Sequence, residues 1–246
     1  MMKDKTAIIG MDDAYQGKIG QQREAFCIEF IRQKKESYKR IQNEIFAQIK
    51  IKDERVTCHK GCSACCVLYI EASIQESEAI TYYLYQKPDI LSGFLDRYDF
   101  WRHRMRLLGN PFSRCEKILH AQREEEINGI DRQTLLDTLR LYHSQNIPCP
   151  FLCDGICSIY DVRPYVCANH YVTTPSEWCQ AVNWCNPEFP DRPMIYMTDI
   201  DEINDLTLYS RNLNKPAIGF VPTTVYYILT EGLTYITKVT GITGLL

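Results

Sequence analysis

This sequence predicts a mainly α, single helical domain with a loop-rich, cysteine-lined metal site. Three observations carry that reading. Apolar residues recur at three- and four-residue steps over most of the chain, prolines crowd one internal stretch, and the chain holds twelve cysteines, most of them in two clusters.

The elements follow in order. Gly17–Lys52 reads as one long amphipathic helix, with Cys27, Phe30, Ile31, Tyr38, Ile41, Ile45 and Ile49 on its apolar stripe and Lys, Arg, Glu and Gln between them. Thr57–Val67 breaks that pattern and holds the first cysteine cluster. Ser73-Ile-Gln-Glu76 is a capping box that opens a helix, and Pro88 ends it. Asp89–Leu108 is a third helix, its face drawn by Leu91, Leu95, Tyr98, Trp101 and Met105 and its stop by Gly109-Asn110-Pro111. Two more helices are expected at Arg114–Ile127 and Asp131–Ser144. From Ile147 to Pro193, seven prolines make the chain irregular. Thr198–Leu213 and Thr223–Lys238 are helix candidates, and the Thr, Val and Ile content of the second keeps a strand open there.

Composition narrows the function classes. The chain has 246 residues, 45% hydrophobic and 24% charged, enough to bury a core and too apolar for disorder, so 1–246 is read as one metal-binding domain. The net charge of −3 gives no support to a nucleic-acid or acidic-membrane partner. The N-terminal apolar patch, Ala7–Met11, is too short for a signal peptide, and the most apolar stretch, Ala217–Thr230, is too short to span a bilayer. A cytoplasmic location is therefore expected. In a reducing compartment, clustered cysteines point to metal ligation or redox chemistry ahead of disulfides.

The metal-binding segments are 58–66 and 149–185. The first is Cys58-His-Lys-Gly-Cys62-Ser-Ala-Cys65-Cys66. The Cys62-x₂-Cys65 step lets two thiolates face one ion around a tight turn that Gly61 eases. Adjacent Cys65 and Cys66 diverge in either helix or strand, so one is a spectator or the two serve different metals or a multi-metal cluster. The second segment runs Cys149-Pro-Phe-Leu-Cys153-Asp-Gly-Ile-Cys157 and on to Cys167, with Asp154-Gly155 as a turn that sets Cys149 beside Cys157. Eight cysteines suit two four-ligand sites, or one site that draws on both clusters. The economical solution brings the clusters together.

The spacing C-x₃-C-x₂-C-C, followed by CPFL and then by C-S-I-Y-D-x-R-P ahead of Cys167, resembles the YkgJ-type CxxCxxCC family of zinc- or iron-chelating proteins. The resemblance covers Cys58 to about Cys179. It implies that Cys58, Cys62, Cys65, Cys66, Cys149, Cys157 and Cys167 are family cysteines. Cys153 stands where the family has a polar turn residue, and Ala168 where it has a basic one. Flagellin lysine-N-methylases carry a similar motif, which is the one enzymatic activity the resemblance suggests.

The expected metal set is thus Cys58, Cys62, Cys65, Cys66, Cys149, Cys153, Cys157 and Cys167, with Arg163 facing an anionic cofactor or neutralising the thiolates. The expected cofactor is an iron–sulfur cluster of the 4Fe-4S type, with zinc as the alternative. A redox or peptide- or protein-modifying role goes with the first, and a structural zinc-binding interaction protein without catalysis goes with the second. The catalytic residues and oligomeric state are not assigned. His59 and His170 could complete a site, as could Cys179 and Cys185. Cys27 and Cys115 read as small core residues, and His103, His120 and His143 as structural.

Overall fold

The computed structural model describes residues 7–59, 61–123, 132–184, 186, 188, 193–198 and 217–241. The helix expected at Thr198–Leu213, the end of that at Arg114–Ile127, and Cys185 lie mostly or wholly outside them.

The expected long helix is present. After a single turn, α1 (Met11–Ala14), α2 (Gly17–Ile51) runs unbroken for 35 residues, about 50 Å at the rise of an α-helix. Its stripe buries Cys27, Phe30, Ile41, Ile45 and Ile49. The chain then coils through the first cysteine cluster into β1 (Glu71–Ser73) and α3 (Ile74–Tyr85). Ser73 caps α3 with the reciprocal Glu76 bond of a full capping box.

Helix α4 (Pro88–Leu107) begins on its proline, whose fixed φ suits a first turn. It stops where Gly109 and Asn110 take left-handed backbone conformations, at φ 76° and 56°. The hairpin of α5 (Pro111–Arg123) and α6 (Arg132–Ser144) follows. The proline-rich stretch holds only short pieces: β2 (Leu152–Cys153), β3 (Ile156–Cys157), a 3₁₀ turn at Tyr160–Val162, α7 (Tyr165–Ala168), β4 (Tyr171–Val172), a 3₁₀ turn at Ser176–Cys179, α8 (Ala181–Trp184) and β5 (Ile195–Tyr196). Proline removes a backbone donor and restricts the residue before it, so no long ladder forms.

At the C-terminal end, β6 (Ile218–Phe220) pairs antiparallel with β1, Ala72 opposite Gly219. The segment left open between strand and helix is two helices, α9 (Val221–Glu231) and α10 (Leu233–Thr240), divided at Gly232 with φ 57°. Pro222 in the first turn favours the helix, and α9 lies among α3 and β6 with most of its surface buried, a setting in which β-branched residues tolerate helix.

The core is aromatic. Phe94 stacks on Phe151 at 4.5 Å, Tyr98 on Tyr226 at 4.4 Å and Tyr69 on Phe220 at 4.9 Å. These pairs tie α4, α9 and the strands to the loop carrying Cys149. Two buried ion pairs join α2 to α3: Arg23 Nη2 to Glu78 Oε1 at 2.7 Å, and Lys34 Nζ to Glu76 Oε1 at 3.0 Å. Among the described residues, no helix is long and apolar enough to cross a membrane.

His143 is buried, and its Nε2 accepts the Tyr69 backbone N–H. Burial pushes its pKa down to about 4. The unfolded chain, with an ordinary histidine near 6.5, binds the extra proton first as pH falls. The stability that neutral His143 contributes is therefore whole above about pH 6.5 and is lost between 6.5 and 4, up to about 3 kcal/mol. Urea unfolding of the native chain should weaken more steeply over that window than that of His143→Gln. Parallel curves would refute this.

Candidate metal centre

The first cluster is a run of turns pinned at its start. The Thr57 N–H donates to the Val172 carbonyl at 2.8 Å, and Thr57 Oγ1 donates to the Thr174 carbonyl at 2.7 Å. In return, the Val172 N–H donates to Cys58 Sγ at 3.3 Å. From there the backbone closes three tight turns, Cys62 N–H on His59 O, Cys66 N–H on Ser63 O and Leu68 N–H on Cys65 O. Gly61, at φ 88°, supplies the left-handed conformation that the first of these needs.

The second cluster is a hairpin. Asp154 and Gly155 both have positive φ, 49° and 77°, as a two-residue hairpin turn requires. Leu152 pairs with Cys157 and Cys153 with Ile156. Burial raises the Cys149 and Cys157 thiols, and the backbone two residues on, at Phe151 and Ile159, opposes that rise. A backbone dipole placed in this way favours the thiolate, the form that ligates a metal. Helix α4 holds this hairpin through Arg97, whose Nε donates to the Pro150 carbonyl at 2.8 Å.

The two clusters meet. The Cys149 N–H donates to the Cys66 carbonyl at 2.7 Å, across about eighty residues of chain. Cys167 arrives on α7 from a third direction, and the long helix positions it. Lys34 Nζ donates to the Val162 carbonyl at 3.3 Å, and the Tyr38 hydroxyl donates to the Arg163 carbonyl. The Tyr165 N–H donates to Glu76 Oε1 at 2.8 Å, the oxygen that also takes the Lys34 ammonium. One carboxylate thus fixes the start of α3, the buried lysine of α2 and the first residue of α7.

The thiols act on one another. Burial pushes Cys167 well above an ordinary thiol, with Cys65, Cys149 and Cys157 adding to the rise and Arg163 opposing it. Burial likewise pushes Cys149 up to about 12. In the adjacent pair, each thiol is the other's strongest influence, which holds Cys65 below the usual value and Cys66 above it. Gathered in this way, most of these groups resist ionisation, and a metal must displace their protons to bind.

Arg163 lies among these thiols with its guanidinium 3.8 Å from the Tyr160 ring centroid. Its Nε is buried and has no hydrogen-bond partner among the described residues. An orphaned cationic donor beside a thiol group is suited to an anionic thiolate cluster.

The remaining sequence candidates stand elsewhere. Cys153 is exposed at the hairpin turn, its thiol toward Asp154. Cys27 and Cys115 are wholly buried in the core, and the Cys115 S–H donates to the Thr138 carbonyl. His59 is exposed on the wall of a cavity of about 440 Å³ that Cys62, Ser63, Ser176 and Gln180 also line. His170 is partly buried, and burial lowers its pKa. Cys179, on the 3₁₀ turn Ser176–Cys179, is partly buried, and burial pushes its thiol up to about 11, with Cys58, Cys62 and Cys65 adding to the rise. The Lys34–Glu76 support of α7 has no signature in the sequence beyond a lysine on an apolar stripe and the capping-box glutamate.

Among the described residues, no three Cys, His, Asp or Glu side chains stand as a ready metal-holding group. The fit to a metal lies in the chemistry of the donors: an all-sulfur set, an N–H···S bond to Cys58 and, beside the set, an arginine whose Nε is buried. No protein-family model, no curated protein and no solved structure matches this chain.

Proposed function

We propose that this chain is a cysteine-ligated metalloprotein that carries an iron–sulfur cluster and serves a redox or peptide- or protein-modifying reaction. The observation that carries the reading is the bond from Cys149 N–H to Cys66 O, which closes the two cysteine clusters onto one locus. Cys65, Cys66, Cys149, Cys157 and Cys167 are the residues that would hold the group, five of the seven cysteines that the YkgJ-type resemblance implies. When bound, such a cluster supplies one-electron transfer at a potential set by its surroundings.

The chain's own residues supply the surroundings. The backbone at Phe151 and Ile159 favours the thiolate form of Cys149 and Cys157. Arg163 offsets their negative charge, and its Nε–H is available to a sulfur or to a bound anion. Glu76, Lys34 and Tyr38 hold the backbone on which Arg163 and Cys167 sit. The neighbouring cavity, lined by uncharged groups and by His59, offers room for a neutral peptide segment.

Anaerobic purification followed by metal analysis, sulfide assay and an absorption spectrum tests this. A brown protein with iron and acid-labile sulfide is the expected result. A colourless protein with one or two zinc ions would overturn the iron–sulfur assignment in favour of a structural zinc protein.

A further inference from the structure

We propose that the corner between α4 and α5 is a docking surface for an anionic lipid bilayer, its exposed leucines entering the headgroup boundary and its cations facing the lipid charge. The proposal stands independently of the metal centre.

Backbone bonds build the corner. The Asn110 N–H donates to the Met105 carbonyl at 2.8 Å, and the Ser113 N–H donates to the Asn110 carbonyl at 3.1 Å. With Gly109 and Asn110 in left-handed conformations, α5 starts directly after α4. The five successive residues 106–110 are all exposed. Two of them are leucines, Leu107 at 67% and Leu108 at 40% exposure. Phe100, 61% exposed, precedes Leu107 by about two helical turns, on the side away from buried Phe94, Tyr98 and Met105. Three large apolar groups thus stand in water over the last turns of one helix, which is the mark of a surface that meets something.

Cations flank them in sequence. Arg104 and Arg106 in the last turn of α4, and Arg114 and Lys117 early in α5, are exposed and make no ion pair among the described residues. Arg102 lies over the Tyr98 and Tyr226 rings, 5.9 and 5.4 Å from their centroids. Residues 102–117 hold five Lys or Arg and one acid, Glu116, although the whole chain carries −3. The net charge therefore hides a local basic surface of the kind an anionic bilayer attracts. The helix dipole accounts for Arg104 and Arg106, at a C-terminal end. It opposes Arg114, close to the N-terminal end of a helix with no acid in its first turn. Leucines add nothing to the recognition of a bare phosphate chain. Exposed apolar side chains accompanied by cations are instead the pattern that enters a charged lipid interface.

The test is flotation of the full chain with vesicles of equal parts phosphatidylglycerol and phosphatidylcholine, and with phosphatidylcholine alone. The chain should float with the anionic vesicles, stay behind with the neutral ones, and bind less as salt rises. Each cation near an anionic surface contributes about fivefold, so Arg104→Gln/Arg106→Gln should weaken binding by about twenty-fivefold. Leu107→Ser/Leu108→Ser should weaken it by about tenfold at unchanged charge. Lys35→Gln/Lys39→Gln removes the same charge from exposed positions of α2 and should bind as the native chain does. Absence of the native chain from the anionic vesicle fraction would overturn the proposal, as would equal weakening by the α2 variant. Undiminished binding by the leucine variant would also overturn it, marking a surface for polyanions in general. A native chain that sediments as a dimer, and as a monomer in the leucine variant, would overturn it in favour of a second copy.

Discussion

Glu76→Gln is expected to destabilise the fold by about 3–5 kcal/mol, the usual effect of stripping the partner from a buried charge. Lys34 is 1% exposed and Glu76 8%. The lysine ammonium lies 4.7 Å from the Tyr165 ring centroid and near the rings of Phe30 and Tyr38, so its compensation comes from Glu76, the Val162 carbonyl and aromatic faces. Burial lowers the Lys34 pKa, and Glu76 pulls it back up. A glutamine at this position keeps the capping-box geometry and can still accept from the Tyr165 N–H. What it removes is the charge. The lysine must then lose its proton or draw water inward, and the tie between α2 and α7 slackens.

The expected reading is a urea midpoint shifted well below that of the native chain, together with a metal affinity lower by about tenfold, as for other supports of metal ligands. The double variant Lys34→Met/Glu76→Gln should recover much of the lost stability, because it also removes the buried ammonium that Glu76→Gln leaves without its counter-charge. A single-variant loss under about 1 kcal/mol would show that the pair carries no such load.

Cys149→Ser and Cys157→Ser are expected to lose metal and to melt at markedly lower temperature, and chelation of the native protein should do the same. A metal held by both clusters closes a loop of about eighty residues. By the cross-link estimate, that closure is equivalent to about 4–5 kcal/mol of unfolded-chain entropy. The effect should be local in the metal-free chain: hydrogen exchange should rise first in 147–184, while α2 remains protected by its ion pairs and its buried apolar stripe. Cys153→Ser is the control, since its exposed side chain stands outside the thiol group, and it should change neither metal content nor melting. Full metal and unchanged melting in Cys157→Ser would remove Cys157 from the ligand set.

Much of the helical fold was legible in local pattern. The stripe of α2, the Ser73–Glu76 box, and the Gly109-Asn110 stop each act within a turn or two of chain. Each therefore appears in the structure within a residue or two of where the sequence predicts it. The choice between strand and helix at 221–240 was not legible in the same way. Thr, Val and Ile favour either state according to what covers them, and here the cover is α3 and β6.

The sequence by itself determined a mainly α chain and two cysteine clusters of chelating spacing, because periodicity, capping and short-range spacing are properties of neighbouring residues. Only the tertiary structure decided how those clusters are combined. It joined Cys66 to Cys149 by a backbone bond and set Val172 against the Cys58 turn. It left Cys153 outside in solvent, and it held Cys167 in place through Lys34 and Glu76 on helices far away in sequence. These pairings depend on which buried donors and acceptors find partners once the chain has closed on itself, and burial of that kind has no local signature.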